Sequence, residues 1–511
     1  MTATPWHMSL DTMGTLDMNM DTNFLAGNPV YSQGQGFMPS PNDAQDSDSA
    51  ESESSDASQT HRNARQLPLD QPAWTYMLLG ESGEGDPHLL RRTAHAVHAD
   101  NIHFRRFPRD NTSAEDLDSR RPIVYMLGRD SLYDKYEPRV EDSVLQALRK
   151  ELDQVSHDVG IRLLGLYFKY IYPYFPILSR SYMLVEGQIS EASLASLPLS
   201  LKAVLYASSL PYTIYDDVLS TMLDVSLPTA KSLYRIAWTA ITQEIHTPRL
   251  STLQACLLLL QRDNFDRYVQ GSPFQWSLVA WTVTLAQTLG LATDCSTVRG
   301  MPVWEKRLRK RLWWATYILD KWYFATAGLA SHLHEDDYDI LPLNDEDCSS
   351  STGDDLEDET LKLTNFRHLV DLTNLLSSIT TSFFTVKASR STSSDFAKTV
   401  ELANDLQSRL YTWKASLDTS CASTQAGATS SRTKLDGNGS VILAYWAAHL
   451  LITRAILRAL YALDGMEEDK RLRKECRQSS RLGAEDCCRK VVDFVDQLQA
   501  GAWNAFWHKC E

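Results

Sequence analysis

The stretch WEKRLRKRLWWATYILDKWYFATAGLASHLHEDDYDILP, residues 304–342, decides the fold of this chain. Its large apolar residues recur every three or four positions, which places on one helical face Leu308, Leu312, Ala315, Leu319 and Trp322. A similar spacing runs through FQWSLVAWTVTLAQTLGLATD, residues 274–294, and that helix should end at Gly290, because glycine favours the left-handed backbone of a helix C-terminus. These two segments predict long helices packed inside a helical domain.

The same helical spacing continues from Val144 onward, and no alternating pattern with hairpin turns is evident. Further helices are predicted at 364–386, 395–416, 441–463 and 484–506. Two polar stretches, Asp345–Glu359 and Thr419–Ser440, are predicted to be loops. The predicted fold class is therefore all-α, with one large multi-helix domain over residues 146–511.

Residues 1–70 differ in composition from the rest. Nine acidic residues and no Lys or Arg precede Arg62, and residues 40–58 are nearly all serine and acid. Such a segment buries too little apolar surface to offset its ordering entropy, so it is predicted to be disordered. Isolated apolar residues between acids are typical of activation segments that contact co-activators, and the candidates are Trp6, Phe24, Leu25 and Phe37. A passive solubilising tail is the alternative.

Residues 71–145 are interpreted as a linker and peripheral segment. Within them, residues 91–109 carry five arginines and three histidines, and they could form a small basic surface. His95 and His98 lie one helical turn apart, but no cysteine or paired carboxylate converges on them locally, so metal binding is disfavoured. A loop or a peripheral helix is the predicted structure.

Composition excludes several classes of function. The 511-residue chain has a formal net charge of -15, which disfavours a protein that coats nucleic acid. No run approaches the about 20 apolar residues of a membrane-spanning helix, so no membrane partner is expected. The eight cysteines are scattered and form no C-x-x-C pair, so no metal or other cofactor is expected in this chain. Known catalytic motifs are missing, which leaves an all-helical enzyme as a remote alternative.

The order of residues in 274–342 resembles the middle homology region of fungal zinc-cluster transcription factors. That family has an A-x-x-LGL helix end, an acid, a basic triplet, a tryptophan pair, a later aspartate, a glycine turn and an Asp-rich segment ending in proline. The matching residues are Ala286, Leu289, Gly290, Leu291, Glu305, Arg309, Lys310, Arg311, Trp313, Trp314, Asp320, Gly328, Asp336, Asp337, Asp339 and Pro342. The resemblance spans about residues 161–507, and its details are similar to TamA-type nitrogen-utilisation regulators.

The resemblance implies a nuclear regulator of RNA polymerase II transcription, acting in nitrogen or secondary metabolism through its helical regulatory domain. Its implied partners are co-activators and either a DNA-binding transcription factor or a second copy. No cysteine precedes Cys256, so zinc is expected only with a six-cysteine cluster upstream of this sequence. A co-regulator recruited by a DNA-binding partner is the alternative, and promoter contact is then indirect. The family's domain is also expected to continue beyond Glu511.

The chain departs from the family pattern at two places: Leu329-Ala330 replaces the Arg-Pro of the glycine turn, and Ala292 replaces a common histidine. The basic residues of the first helical turns, Lys306, Arg307, Arg309, Lys310 and Arg311, are unfavourable there against the helix dipole. They are predicted to pair with Asp336, Asp337 and Asp339, with a nuclear import signal and DNA contact as alternatives. The core aromatics, rather than a ligand cage, are predicted to be Trp313, Trp314 and Trp322.

Overall fold

The computed structural model describes residues 69, 73–83, 86–87, 101–107, 122–133, 139–185, 188–221, 227–262, 271–348, 363–425, 435–462 and 470–508. The predicted activation residues Trp6, Phe24, Leu25 and Phe37 lie outside these ranges, as do His95 and His98. The predictions made for them therefore stay predictions.

Helices dominate, and the all-α fold class is confirmed. The first nine helices among the described residues are α1 (Asp130–Tyr133), α2 (Asp142–Leu152), α3 (His157–Tyr170), α4 (Arg180–Met183), α5 (Glu191–Ala195), α6 (Leu199–Ser209), α7 (Ala230–Glu244), α8 (Leu250–Leu260) and α9 (Pro273–Thr288). The later ones are α10 (Val303–Ala327), α11 (Asp345–Cys348), α12 (Thr364–Phe383), α13 (Val386–Ser394), α14 (Phe396–Gln425), α15 (Asn438–Ala462), α16 (Lys470–Gln497) and α17 (Ala500–Trp503).

Helices α9 and α10 pack against each other, and their ends follow from the sequence. Ser272 caps the N-terminus of α9 through a side-chain contact with the Gln275 amide, and Pro273 occupies the first turn. Gly290 follows the end of α9 with a φ of 74°, as predicted, and Gly328 ends α10 with a φ of 69°. The two glycines therefore allow the chain to turn sharply at both helix ends.

Residues 73–129 contain a small antiparallel sheet, so the predicted loop or peripheral helix is wrong for the described part of this segment. Its strands are β1 (Trp74–Leu78), β2 (Ile102–Phe107) and β3 (Ile123–Arg129), in the order β1-β3-β2. Strand β3 is buried on both faces, so its sequence shows a continuous apolar run instead of alternation. A two-stranded ribbon, β4 (Leu184–Val185) with β5 (Gln188–Ile189), is also present.

The predicted helices after residue 364 are present, and their ends shift by a few residues up to about 14. The first predicted loop contains α11 at its start, and the second is helical up to Gln425 and again from Asn438, so both loops were drawn too long. The sequence analysis found no run of apolar residues long enough to span a membrane, and helix α15 corrects this. Its residues Asn438–Tyr461 are long and apolar enough to cross a membrane. The helix packs against α12, α14 and α16, which is typical of a core helix.

Candidate functional site: the charged helix and its partners

The first turns of α10 hold a buried ion pair. Glu305 and Arg309 are 0% and 2% exposed, and the Arg309 Nε lies 2.9 Å from Glu305 Oε1, one helical turn away. Arg309 Nη1 also donates to the carbonyl of Leu289, at 3.0 Å, at the end of α9. Burial alone would lower the pKa of Arg309, but the charge of Glu305 and the nearby tyrosines raise it well above its usual value. The arginine therefore stays charged inside the domain.

The small sheet packs onto this ion pair through two tyrosines. The Arg309 guanidinium lies 5.9 Å from the centre of the Tyr76 ring, and Tyr125 approaches the same Leu289 carbonyl at 3.5 Å. Burial raises the pKa of Tyr125 to about 12, so its hydroxyl keeps its proton. A Cβ at Gly290 would come within 2.3 Å of that hydroxyl, so the glycine permits the contact. The sheet and the family motif thus form one packed unit.

The other two members of the basic triplet fasten two further segments. Lys310 Nζ lies 2.5 Å from Asp347 Oδ2, at the short helix α11. Arg311 donates to three main-chain carbonyls, those of Pro176 at 3.0 Å, Leu178 at 3.2 Å and Asp347 at 2.9 Å. Its partners are neutral, and its side chain is only 4% exposed. The triplet therefore connects α10 to the turn after α3 and to α11.

The predicted partners of the triplet are wrong. Asp336, Asp337 and Asp339 are all exposed, and Asp339 accepts a hydrogen bond from the amide of Asp294 at 2.5 Å. The segment turns away from the triplet because it packs further along α10, beside its tryptophans. Glu305 and Asp347 are the carboxylates that face the triplet instead. Glu305 was named as part of the motif, but Asp347 was missed since it lies in a predicted loop.

The tryptophans of the motif lie in the core, as predicted. Trp313 and Trp322 are 0% and 1% exposed, and Trp322 donates to Thr373 Oγ1 at 2.9 Å. Trp314 donates to the carbonyl of Leu341 at 3.2 Å, directly before the exposed Pro342. The Trp314 contact holds the loop after α10 in place, and the Trp322 contact connects α10 to α12.

The last turns of α10 carry a second charged network. Asp320 is fully buried and accepts hydrogen bonds from the amides of His332 and Leu333, at 3.0 and 3.2 Å. Lys321 donates to the Leu333 carbonyl at 2.6 Å, and its Nζ lies 3.7 Å from Glu335 Oε1. Burial lowers the pKa of Lys321. Asp320 therefore shapes the turn that follows Gly328.

Glu335 is a residue that sequence reasoning missed. Its carboxylate accepts hydrogen bonds from Tyr317 and Ser377, both at 2.7 Å, and from Tyr338. Burial alone would raise its pKa, but these hydrogen bonds and Lys321 hold the pKa below its usual value. Three consecutive acids, from Glu335 to Asp337, make this first one hard to distinguish in sequence.

The basic triplet fixes α10 against its neighbours. The triplet's cations are directed at carboxylates and carbonyls inside the domain, which leaves them unsuited to grip a phosphate backbone. Among the described residues, no group of three or more His, Cys, Asp or Glu could hold a metal ion. The site therefore holds helices and loops in register.

The sequence of the chain is similar to those of known transcription factors. The family model described as "fungal specific transcription factor domain" matches residues 164–415, which include both charged networks of α10. Over 399 residues the chain is 28% identical to the transcriptional activator protein DAL81 of Saccharomyces cerevisiae, covering 70% of this chain and 38% of that protein. Over 283 residues it is 30% identical to an uncharacterised transcriptional regulatory protein of Schizosaccharomyces pombe, covering 53% and 39%.

A third similarity is lower. The chain is 24% identical over 185 residues to cutinase transcription factor 1 alpha of Fusarium vanettenii, covering 36% of this chain and 20% of that protein. The chain thus spans about two fifths or less of the length of these three relatives. No solved structure matches the chain.

Proposed function

The chain belongs to the fungal transcription factor family with the middle homology domain, and from that membership we propose that it regulates RNA polymerase II transcription in the nucleus. In this proposal, residues 146–511 form the regulatory domain and act through contacts with other proteins. The observation that carries it is the binding of the basic triplet to internal acceptors, in a domain that matches the family model. Imaging of the tagged chain tests localisation, and exclusion from nuclei under all growth conditions would contradict it.

We infer that the helical domain makes no sequence-specific contact with DNA. Arg309 and Arg311 of α10 bind internal acceptors, and the net charge of -15 opposes approach to phosphates. In a gel-shift assay at physiological salt, the purified chain should bind duplex DNA weakly and equally across sequences. Nanomolar binding to one sequence over a scrambled competitor would contradict this inference.

The route to promoters has two forms in this proposal. The chain acts either with a zinc-cluster module encoded upstream of Met1 or as a co-regulator that a DNA-binding transcription factor recruits. Mapping the 5′ end of the transcript separates them, because an in-frame or spliced C-x-x-C cluster supports the first form. Chromatin immunoprecipitation that requires a second transcription factor supports the second.

Residues 1–60 are proposed as the activation segment. The acids keep a few large apolar side chains solvated and available to co-activators, which is the composition of an amphipathic activation region. Fused to an unrelated DNA-binding domain, this segment should activate a reporter. Replacing Trp6, Phe24, Leu25 and Phe37 by alanine should abolish most activation, whereas the matched control with Ser52, Ser54 and Ser55 changed to alanine should retain it. A silent fusion that is expressed and nuclear would support the passive-tail alternative.

Nitrogen utilisation is the proposed target process, with secondary metabolism as the second candidate. The support is the resemblance of the motif residues to TamA-type regulators. Transcripts measured before and after a shift between preferred and poor nitrogen sources, with and without the gene, test it. Unchanged nitrogen-responsive transcripts in the deletion strain would contradict the first candidate.

A further inference from the structure

The pentapeptide KRLRK occurs twice in this chain, at residues 306–310 and at residues 470–474. The first copy lies in the first turns of α10, and its last residue, Lys310, has a side chain that is only 11% exposed and pairs with Asp347. The second copy opens α16, and its last residue, Lys474, is exposed. The lysine that meets a carboxylate inside the domain in α10 therefore faces solvent in α16.

The first half of α16 is weakly anchored to the domain. Among the side chains of α16 that the structure describes, the first buried one is that of Cys487. Before it, the described side chains are exposed except for three small ones that are half-buried, those of Cys476, Ser480 and Ala484. Gly483 lies in the same stretch, no atom lies within 4 Å of a Cβ added there, and glycine weakens a helix. The start of α16 can therefore unwind with little loss of buried surface.

Charge weakens the first turns of α16 further. Helix α16 has no acidic residue in its first turn, and cations there are unfavourable against the helix dipole. The positive charge continues along the helix, because Arg477 and Arg481 are also exposed. Residues 470–481 contain six Lys or Arg and one acid, Glu475, in a chain whose net charge is -15. We call residues 470–481 the basic segment.

The chemistry of the basic segment fits two kinds of partner. Segments of about five to eight residues rich in Lys and Arg bind nuclear import receptors or nucleic acid. A nucleic acid is a long polyanion, so it would also meet the acidic surfaces of a chain with net charge -15. An import receptor binds only a short extended peptide, whose Lys and Arg enter a groove lined by acidic and aromatic side chains. The weakly anchored start of α16 can supply such a peptide, so the receptor is favoured.

We propose that residues 470–474 are the nuclear import signal of this chain and bind an import receptor through its acidic groove. The copy in α10 cannot take this role, because Arg309 and Lys310 bind internal acceptors that a receptor would have to displace by unfolding the domain. The inference rests on the proposed function in the nucleus. A chain of 511 residues is too large to cross the nuclear pore quickly by diffusion, so it needs a carrier.

The first test measures binding of the purified full chain to a purified import receptor for basic peptides, by fluorescence anisotropy. A four-alanine variant should bind at least about tenfold more weakly, and it changes Lys470, Arg471, Arg473 and Lys474. The matched control removes four exposed cations from other helices and should bind like wild type; it changes Lys387, Arg390, Lys398 and Arg454. Three acids directly precede the pentapeptide, and their replacement by alanine should strengthen binding; they are Glu467, Glu468 and Asp469.

The second test follows the tagged full chain in cells. The four-alanine variant should lose its accumulation in nuclei, whereas the matched control and a Lys470→Arg, Lys474→Arg variant, which keeps the charges, should retain it. Urea unfolding of the four-alanine variant should show the wild-type midpoint, because the described side chains in the first half of α16 are not buried. An unchanged midpoint separates loss of the signal from loss of the fold.

The outcomes separate this inference from the proposed function. A four-alanine variant that binds the receptor and enters nuclei like wild type would overturn the import signal and leave the nuclear function intact. A wild type excluded from nuclei would contradict the nuclear function, and the binding assay would then decide the import signal alone. If the four-alanine variant loses weak binding to duplex DNA in a gel shift at low salt but still binds the receptor, the basic segment contacts nucleic acid and the proposal is wrong.

Discussion

Helices α9 and α10 are neighbours with opposite distributions of charge. Helix α10 carries the cations of the motif and buries Arg309 and Arg311 almost completely, whereas the uncharged helix α9 leaves Trp281 41% exposed. A charged stretch is usually read as a solvated face and an apolar one as core. Here the charge is internal because each buried cation meets a defined acceptor. In these two helices the buried charges hold the domain together, and the uncharged helix lies partly at the surface.

Removing the carboxylate of Glu305 should cause the largest loss of stability, because it pairs with a buried cation of α10. Glu305→Ala leaves the Arg309 charge without its buried carboxylate, so the free energy of unfolding should fall by about 3–5 kcal/mol. Urea unfolding measures the loss, and Glu401→Ala is the control because Glu401 is exposed. Replacing Glu305 and Arg309 together by leucine should cost less than Glu305→Ala alone. Equal stability of Glu305→Ala and wild type would mean that the buried charge is compensated elsewhere.

The junction between the two helices gives the second test. Gly290→Ala combines a left-handed backbone, φ 74°, with a Cβ placed 2.3 Å from the Tyr125 hydroxyl, so the loss should be about 3 kcal/mol. Gly300→Ala is the matched control, since φ is 77° there and no atom lies within 4 Å of the added Cβ. Its loss should be only about 1 kcal/mol, from the backbone term. Equal losses of unfolding free energy in the two variants would show that Tyr125 and the sheet can move away from the added Cβ at no cost in stability.

Buried His508 tests whether the interior tolerates a new charge. His508 is 3% exposed, and burial lowers its pKa to about 3. The unfolded chain takes up the proton near pH 6.5 and the folded chain does not, so stability is complete above pH 6.5 and falls as the pH is lowered toward 3. Between pH 6.5 and 5 the loss should be about 2 kcal/mol.

The pH dependence should be separable from that of the other histidines. His368 and His449 also have pKa values lowered by burial, so they add to the slope over the same range. His508→Leu should make the slope of unfolding free energy against pH shallower. Identical slopes for His508→Leu and wild type would exclude the role assigned to His508.

Helical periodicity explains why most of the fold could be predicted. The spacing in α10 depends only on neighbours three and four residues apart, and it predicted the buried tryptophans. Strand β3 was not predicted because it is buried on both faces, so its residues IVYML show no alternation of apolar and polar side chains. Strand β2 was not predicted because Arg105 and Arg106 interrupt its alternation. The pairing of β1 with β3 joins residues about 50 positions apart, and the spacing of neighbouring residues does not show it.

The charged contacts were harder to predict for the same reason. That the triplet would pair inside the protein followed from its place in the first turns of α10, but its partners depended on the path of the loop up to α11. Arg311 binds main-chain carbonyls, which have no sequence signature at all. The uncharged character of α9 could be read from the sequence, because its 16 residues contain no Asp, Glu, Lys, Arg or His.

The smallest expected effect concerns charges on the outside. Asp336 and Asp337 are exposed in a short 3₁₀ turn, and the acceptors of the triplet lie elsewhere. Replacing both aspartates by alanine should therefore change the free energy of unfolding by less than about 0.5 kcal/mol. Glu335→Ala is the matched variant one residue earlier, and it should cost about 1–3 kcal/mol, because the buried hydroxyls of Tyr317 and Ser377 lose their acceptor. Urea unfolding at pH 7 compares the two. If the Asp336 and Asp337 variant lost as much as Glu335→Ala, the exposed acids would stabilise the domain through contacts other than those of the carboxylate of Glu335. The conclusion that the exposed acids of this loop contribute little to stability would then be wrong.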